Sequence, residues 1–528
     1  MLSRRTLLQA AALAPLGTPR IAAAQPTRVL KFVPQADLAV VDPIWTTAEV
    51  TRNHGLLVYD TLFGLDAAFR PVPQMAEAAT TEDGDKTWKI SLRSGLMFHD
   101  GSPVLARDVV ASLQRWGKKD SFGQVLMAST DQISAPDDHT IQFRLKRPFP
   151  LLTTALGKPN SSIAAIMPER LARTDPSVQV KEVIGSGPYR FKADERVPGS
   201  LAVYERFDKY LPRDGSQPAW TAGPKIAHFD RVEWHTLPDP ATAAAALTAG
   251  EIDWWEWPSA DLLPMLRAAN GVRVAVNDPT GNIAIMRMNQ LWPPFDNAAI
   301  RRAMLGAVNQ EDFMTAVAGT DHSIWQTGVG FFCPNSPLAS KVGMDALTSP
   351  RDPAAVKHAL ADAGYKHERV VLLGANDLAV VKAECDVGAD MMKRIGMNVD
   401  YQVRDWGTVV QRRAIKDSPE KGGWNVFFTG TRGLDQMTPA THIALRGNGA
   451  DAWPGWPNSP KLEELRQAWF DATDLAAQQK IGQEMQRQAF IDVPYIPLGF
   501  YLTPTAYRSD LTGFVQGVPV FWNVRRSA

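Results

Sequence analysis

The sequence predicts an α/β protein, and three observations carry that class. From Val370 onward, stretches of strand and helix length alternate over 370–373, 379–395, 397–403, 406–415 and 424–429, the mark of a layer with parallel strands. A strand, a turn and a helix are specified locally between Trp88 and Trp116. At 528 residues the chain is too long for one ordinary core, so two or three lobes are expected. Hydrophobic residues at 45% and charged residues at 21% fit a globular protein. The 56 basic and 56 acidic residues balance, which gives no reason to expect nucleic acid or an anionic membrane as partner.

The first 24 residues read as a targeting segment. Arg4 and Arg5 precede an apolar run over 7–16, and Ala22-Ala23-Ala24 offers small residues for cleavage before Gln25. This pattern resembles a Tat export signal. The apolar run is too short to span ~30 Å of hydrocarbon. Without Arg4, Arg5 and Arg20 the mature chain would carry 53 basic against 56 acidic residues. Neither cysteine, Cys333 or Cys385, lies near the cleavage site, so no lipid anchor is expected there. The two could form one disulfide or remain two buried thiols.

A first strand is expected over 28–33, then a loop over 37–43 containing Asp37 and Leu38, then a helix over 51–63. Trp88, Ile90 and Leu92 alternate with polar residues at the period of a half-buried strand. His99-Asp100-Gly101-Ser102-Pro103 supplies a turn, and Val109, Leu113 and Trp116 share one face of a helix starting near Ala106. Pro136-Asp137-Asp138 turns a hairpin between 131–134 and 140–145. Strands are expected over 201–206 and 226–237. Asp239-Pro240 opens a helix that Gly250 closes, and Asp352-Pro353 opens another that ends at Gly364. Asn297 can cap the helix whose buried face is Ile300, Met304 and Val308. Two polar helices, 461–472 and 476–491, precede closing strands near 495–498 and 501–508.

The segment from Phe98 through His99-Asp100-Gly101-Ser102-Pro103-Val104 to Ser112 resembles the signature of the bacterial family 5 extracellular solute-binding proteins, the receptors of dipeptide, oligopeptide and nickel ABC importers. Gly185-Ser186-Gly187-Pro188-Tyr189-Arg190-Phe191 is similar to the family's return from its second lobe to its first. Ala249-Gly250-Glu251-Ile252-Asp253, and Met288-Asn289 followed by Pro293-Pro294-Phe295-Asp296-Asn297 and Ile300-Arg301-Arg302-Ala303, match further family segments. Leu105 departs from the pattern, since the family has a helix-capping Thr there. Losing a cap costs ~1 kcal/mol, so a neighbouring group is expected to cover those amides.

The resemblance implies a two-lobed periplasmic-binding-protein fold of the class II type with an extra inserted lobe. Lobe I would gather 25–58, 186–282 and 500–528, the inserted lobe 59–185, and lobe II 283–499. It implies a periplasmic monomer that captures a small-molecule solute between lobes I and II, closes by a hinge motion, and docks on the permease subunits of an ABC transporter in the inner membrane. No cofactor is implied.

Motifs for chemistry are sparse. The chain has no G-x-S-x-G, no H-E-x-x-H, no C-x-x-C and no P-loop continuation after Gly187. The nine histidines are scattered; His228 and His235 fall on opposite faces of the expected strand, and His99 belongs to the turn, where a structural hydrogen bond suffices. The expectation is therefore a receptor without catalytic or metal-binding residues. The rival is an exported enzyme, for instance a carbohydrate-active one using some of the 16 tryptophans as stacking platforms. Trp254, Trp255 and Trp257 are either such a surface or core.

Binding pockets combine apolar walls with a few polar groups. The segment Phe427-Phe428-Thr429-Gly430-Thr431-Arg432 ends a strand, where α/β proteins bind ligands. In peptide receptors of the family the matching strand end carries an Asp that pairs with the peptide amino terminus. Thr431 stands in its place, and a buried ammonium without a carboxylate is costly. Arg432 follows and is able to hold a carboxylate bidentately; otherwise it is a solvated loop residue. The expected ligand contacts are Asp37, Leu38, Trp406, Phe427, Phe428, Thr429, Thr431 and Arg432, around a peptide-like or other carboxylate-bearing solute.

Overall fold

The computed structural model describes residues 28–160, 162–215, 217–472 and 474–527. The export segment, Arg4 and Arg5 included, and the cleavage point before Gln25 lie outside the described residues.

Three sheets organise the chain. The first has seven strands in the order Val272–Ala275, Thr505–Arg508, Trp254–Trp255, Val29–Val33, Arg231–His235, Leu201–Arg206 and Tyr189–Phe191. Val29–Val33 runs parallel to both its neighbours, and the outer pairs are antiparallel. Phe32 fills the middle of this layer against Trp234, Trp254 and Phe521, with ring centroids 4.9–5.5 Å apart. Trp254 and Trp255 are therefore core residues.

The second sheet has six strands: Trp325–Gln326, Ile496–Tyr501, Asn282–Met288, Val426–Arg432, Arg369–Ala375 and Asn398–Arg404. Helix Ala379–Arg394 crosses between the two outermost parallel strands, as the alternation predicts. The expectation of a parallel layer holds only for the last three strands, because Asn282–Met288 pairs antiparallel with Val426–Arg432 and Ile496–Tyr501. Every residue of Asn282–Met288 is buried, as a central strand covered on both faces requires.

The third sheet is an antiparallel set, Ala76–Glu82, Thr87–Leu92, Thr140–Leu145 and Thr130–Ser134. Helix Ala106–Gly117 lies in the chain between its strands Thr87–Leu92 and Thr130–Ser134. In place of a side-chain cap at Leu105, the Asp138 carbonyl accepts the Ala106 N–H at 2.8 Å and the Asp108 carboxylate accepts the Leu105 N–H at 2.9 Å. The chain crosses between the first two sheets at 276–281 and 502–504, two short connections.

Local signals and observed elements agree where a cap marks the boundary. Helix Pro240–Ala249 has Asp239 capping Thr242 and Gly250 at φ 77°, the left-handed conformation that closes a helix cheaply with glycine. Asp352 and Asn297 cap their helices in the same way. Without such marks the bounds shift. The helix expected over 51–63 is Glu49–Val58, and the strand expected over 226–237 is only Arg231–His235, which leaves His228 outside it. Cys333 and Cys385 are both free and buried.

Two motifs meet far from their sequence positions. His99 Nε2 lies 3.0 Å from the Gly187 carbonyl, and His99 Nδ1 accepts the Gly185 N–H at 3.4 Å. The turn and the glycine-rich return are thus stitched together by one buried histidine, the structural role expected for it. Among the described residues no helix is long and apolar enough to cross a membrane, and no His/Cys/Asp/Glu group is arranged to hold a metal.

Candidate functional site

The carboxyl end of Val426–Arg432 points at the helix Glu49–Val58 of the seven-stranded unit, and the gap between them is a cavity. Gln35, Thr47, Glu49 and Trp257 form one wall. Val381, Trp406, Arg413, Thr429, Gly430, Thr431 and Tyr501 form the other, with Asp435, His442 and Trp453 beside them. About 50 Å³ is open to a water-sized sphere. That is less than the ~150 Å³ that holds a benzene, so the gap between the two units is narrow.

The buried cation of this wall that lacks a carboxylate partner among the described residues is Arg413. It is 4% exposed and sits among three rings, with its guanidinium carbon 5.2 Å from the Trp453 centroid, 5.5 Å from Trp406 and 5.6 Å from Phe427. Among the described residues its guanidinium makes one hydrogen bond, donated to Thr47 Oγ1 across the cavity at 3.3 Å. Trp453 Nε1 donates to the same hydroxyl at 3.1 Å. Among the described residues no carboxylate pairs with Arg413, and burial lowers its pKa to about 10. A desolvated guanidinium facing a cavity is a site for an anion, with cation–π contacts to hold it in place meanwhile. Sequence reasoning missed Arg413, which follows Arg412 and looks like half of a solvated pair. The available signal was spacing: Arg413 lies seven residues after Trp406, on the same helical face two turns on.

Arg432 is in a different situation. It is 3% exposed, so it is not a solvated loop residue, and it does not line the central cavity either. Its Nε donates to Glu49 at 2.6 Å and its Nη1 to Asp278 at 3.2 Å, while the ring of Trp257 lies 5.3 Å away. Burial alone would lower its pKa, but Glu49 and Asp278 raise it above the ordinary value. Glu49 also meets Arg52 at 3.6 Å. Behind them, Glu256 accepts from Asn53 and from the Gln35 N–H at 2.9 Å each; burial pushes its pKa up to about 7 against the pull of Arg432. Arg432 is therefore the centre of an ion cluster that joins the two units. The guanidinium expected to hold a ligand carboxylate pairs here with these two side-chain carboxylates.

Of the other expected contacts, Trp406, Thr429 and Thr431 line the cavity, and Gln436 donates to Thr431 Oγ1. Phe427 lies beneath Arg413, while the next residue faces the opposite side of the strand. Phe428 accordingly packs over Gly388 and stacks on Phe313 at 6.0 Å. Asp37 and Leu38 are not on the cavity wall: Leu38 is buried with its carbonyl accepting from Arg196, and the Asp37 carbonyl accepts from Ala39 at 3.0 Å. Of the three clustered tryptophans, Trp257 lines the cavity. His442, beside the wall, is held by the Phe331 carbonyl at 2.7 Å, and burial lowers its pKa to about 4.

Comparison with known proteins is consistent with this geometry. The model of the bacterial extracellular solute-binding proteins, family 5, matches residues 70–451. A probable peptide ABC transporter periplasmic-binding protein, y4tO, of Sinorhizobium fredii is 36% identical over the whole of both chains. The glutathione-binding protein GsiB of Salmonella paratyphi A is 26% identical over 95% of each chain. In shape, the chain is similar to the Agrobacterium protein AgaA in complex with agropinic acid, with a TM-score of 0.78 and 20% identity over 95% of this chain and 99% of that one. It is similar also to the oligopeptide-binding protein AppA of Bacillus subtilis, with a TM-score of 0.78 and 18% identity over 96% and 100%.

Proposed function

The chain belongs to the bacterial extracellular solute-binding proteins of family 5, and from that premise we propose that it captures a small anionic organic solute, peptide-like or opine-like, whose carboxylate is held by Arg413. It is the substrate-binding receptor of an ABC importer and not an enzyme. The single observation that carries the ligand reading is the buried guanidinium of Arg413, facing the cavity with aromatic neighbours and no carboxylate partner among the described residues. A ligand carboxylate there supplies the missing charge and accepts charge-assisted hydrogen bonds. Trp406, Trp453 and Trp257 give it flat apolar walls, and Thr429 and Thr431 give hydroxyls. Arg432 serves the same site indirectly, by fastening the closed units through Glu49 and Asp278.

In this reading lobe I comprises 25–58, 186–282 and 500–528, the inserted lobe 59–185, and lobe II 283–499. The crossings at 276–281 and 502–504 act as the hinge. The receptor works as a monomer, leaves the cytoplasm by the Tat route through Arg4 and Arg5, and presents its closed form to the permease. The relatives' names suggest the first probes: a dipeptide such as Met-Leu, glutathione and agropinic acid.

The test combines native mass spectrometry of protein purified from its own host with calorimetry on those probes. The expected result is one anionic solute bound stoichiometrically and recovered unchanged, with binding weakened at least ~30-fold in Arg413→Met. A neutral or cationic ligand, or multiple turnovers of the solute, would overturn the reading. Export is tested by replacing Arg4 and Arg5 with Lys; unchanged export would exclude the Tat route.

A further inference from the structure

A second cavity shares no lining residue with the cleft. It lies where the unit of the four-stranded sheet meets that of the six-stranded sheet, and holds about 480 Å³. One wall is helix Ser121–Ser129 with Lys146 and Arg147, which follow the strand Thr140–Leu145. The other is Arg446 with Glu463, Arg466 and Gln467 of helix Pro460–Asp471. The two units are joined beside it by Phe122, Phe149 and Phe470, with centroids 6.0–6.2 Å apart.

The charges of this seam do not balance. Arg446 Nε donates to both oxygens of Glu463 at 3.0 Å, and Arg147 pairs with Asp471 at 2.8 Å. Lys146 and Arg466 have no carboxylate partner among the described residues. Lys146 donates to the Ala128 carbonyl at 3.0 Å. Arg466, 5% exposed, donates through Nε to the Pro439 carbonyl at 2.9 Å, and through Nη2 to the Ser121 and Ala440 carbonyls at 3.0 and 3.2 Å. Among the described residues its Nη1 has no acceptor, and neither does Nη2 of Arg446, whose Nη1 donates to Gln124 at 3.2 Å. Burial, aided by the neighbouring Arg446, lowers the Arg466 pKa to about 9. Four cations thus face one cavity against two carboxylates, and two guanidiniums have N–H groups left over.

We infer that this seam is a binding site for a small oxyanion of the phosphate or sulfate class, held by Arg466 and Arg446 on one wall and Lys146 on the other. Such an anion supplies several acceptors at once and answers both unpaired cations, and each charge-assisted bond is about twice as strong as a neutral one. Because its ligands come from two units, the bound anion ties them to each other. The inference is independent of the solute in the cleft.

The test is calorimetry and thermal unfolding of the whole protein with inorganic phosphate and with sulfate, against sodium chloride of equal ionic strength. The expected result is saturable one-site binding of phosphate and a rise in melting temperature that chloride does not reproduce. Lys146→Met should weaken phosphate binding roughly tenfold or more, the effect of one charge-assisted bond, and Arg466→Met should abolish it. Arg466→Met also removes three bonds to main-chain carbonyls, so if that variant fails to fold, Lys146→Met alone decides. A phosphate response equal to that of chloride, or one unchanged by Lys146→Met, means an adventitious ion only and overturns the assignment. Loss of phosphate binding in Arg413→Met with retention in Lys146→Met would place the anion in the cleft and overturn it equally.

Discussion

Replacing Arg413 by Met should leave the ligand-free protein about as stable while making the receptor worse, and that separation is what identifies a binding residue. The guanidinium is charged in both folded and unfolded chains at pH 7. Its folded pKa is lowered from 12.5 to about 10 by burial, so the charge is held at a cost of ~3 kcal/mol relative to water. Met fills a similar volume without that cost. Against it stand the lost contacts with Trp406, Trp453 and Phe427, worth ~2 kcal/mol at a desolvated site, and the lost hydrogen bond to Thr47, worth ~1 kcal/mol. These losses roughly offset the ~3 kcal/mol gain, so ligand-free stability should change by less than ~1 kcal/mol. Binding of an anionic solute should fall by ~2–4 kcal/mol, since a desolvated charge pair loses one partner. Urea unfolding of ligand-free protein gives the first quantity and calorimetry the second. A structural arginine behaves otherwise: Arg287, wholly buried, donates to the carbonyls of Pro454, Ala444, Pro494 and Trp453, and its loss strands four acceptors. If Arg413→Met destabilises the ligand-free protein by 2 kcal/mol or more while affinity changes less than twofold, Arg413 is such a stitch and the binding assignment fails.

Three further outcomes follow from the same charges. Arg432→Met leaves Asp278 without its buried cation and Glu49 with only Arg52, and should destabilise the protein by ~3–5 kcal/mol, with Arg432→Lys recovering part; denaturant unfolding that shows less than ~0.5 kcal/mol for Met would mean the cluster is not formed in solution. Burial lowers His99 to about 4, so as pH falls from ~6.5 the unfolded chain takes up the proton first, and stability drops by up to ~3 kcal/mol by pH 4. His54 and His442, lowered to about 3 and about 4, act with the same sign, so His99→Gln should flatten only part of the pH-dependence of unfolding; an unaltered slope would show His99 already protonated in the fold. Glu384, wholly buried without a hydrogen-bond partner among the described residues, is held protonated by burial, so the native state keeps a proton that the unfolded chain releases above ~4.3 and stability falls as pH rises. Glu384→Gln should gain ~1.4 kcal/mol on the wild type per pH unit above about 5, and parallel stability curves would refute the buried neutral acid.

The arginines show what the sequence could and could not reveal. Helices marked by a cap and a closing glycine, such as Pro240–Ala249, are legible because cap, first turn and terminator are neighbours in the chain. The hairpin at Asp137 is legible for the same reason, its carboxylate accepting the N–H groups of His139 and Thr140 at 2.8 Å. The union of His99 with Gly185 and Gly187 is not, because nothing local in either motif names the other. Its place at a strand end makes Arg432 a candidate anion anchor in the sequence, and the residue lies at the junction of the two units. Its chemistry there is decided by Glu49, which is 383 positions away, and by Asp278 on a connection between the sheets. A guanidinium that already holds two carboxylates has no charge to offer a third. Arg413 has the same side chain and similar burial, yet its neighbours are rings and one hydroxyl, so its charge is still available. Position near a cleft is therefore a weaker guide to ligand binding than the state of a buried charge's partners, and those partners are a property of the tertiary fold.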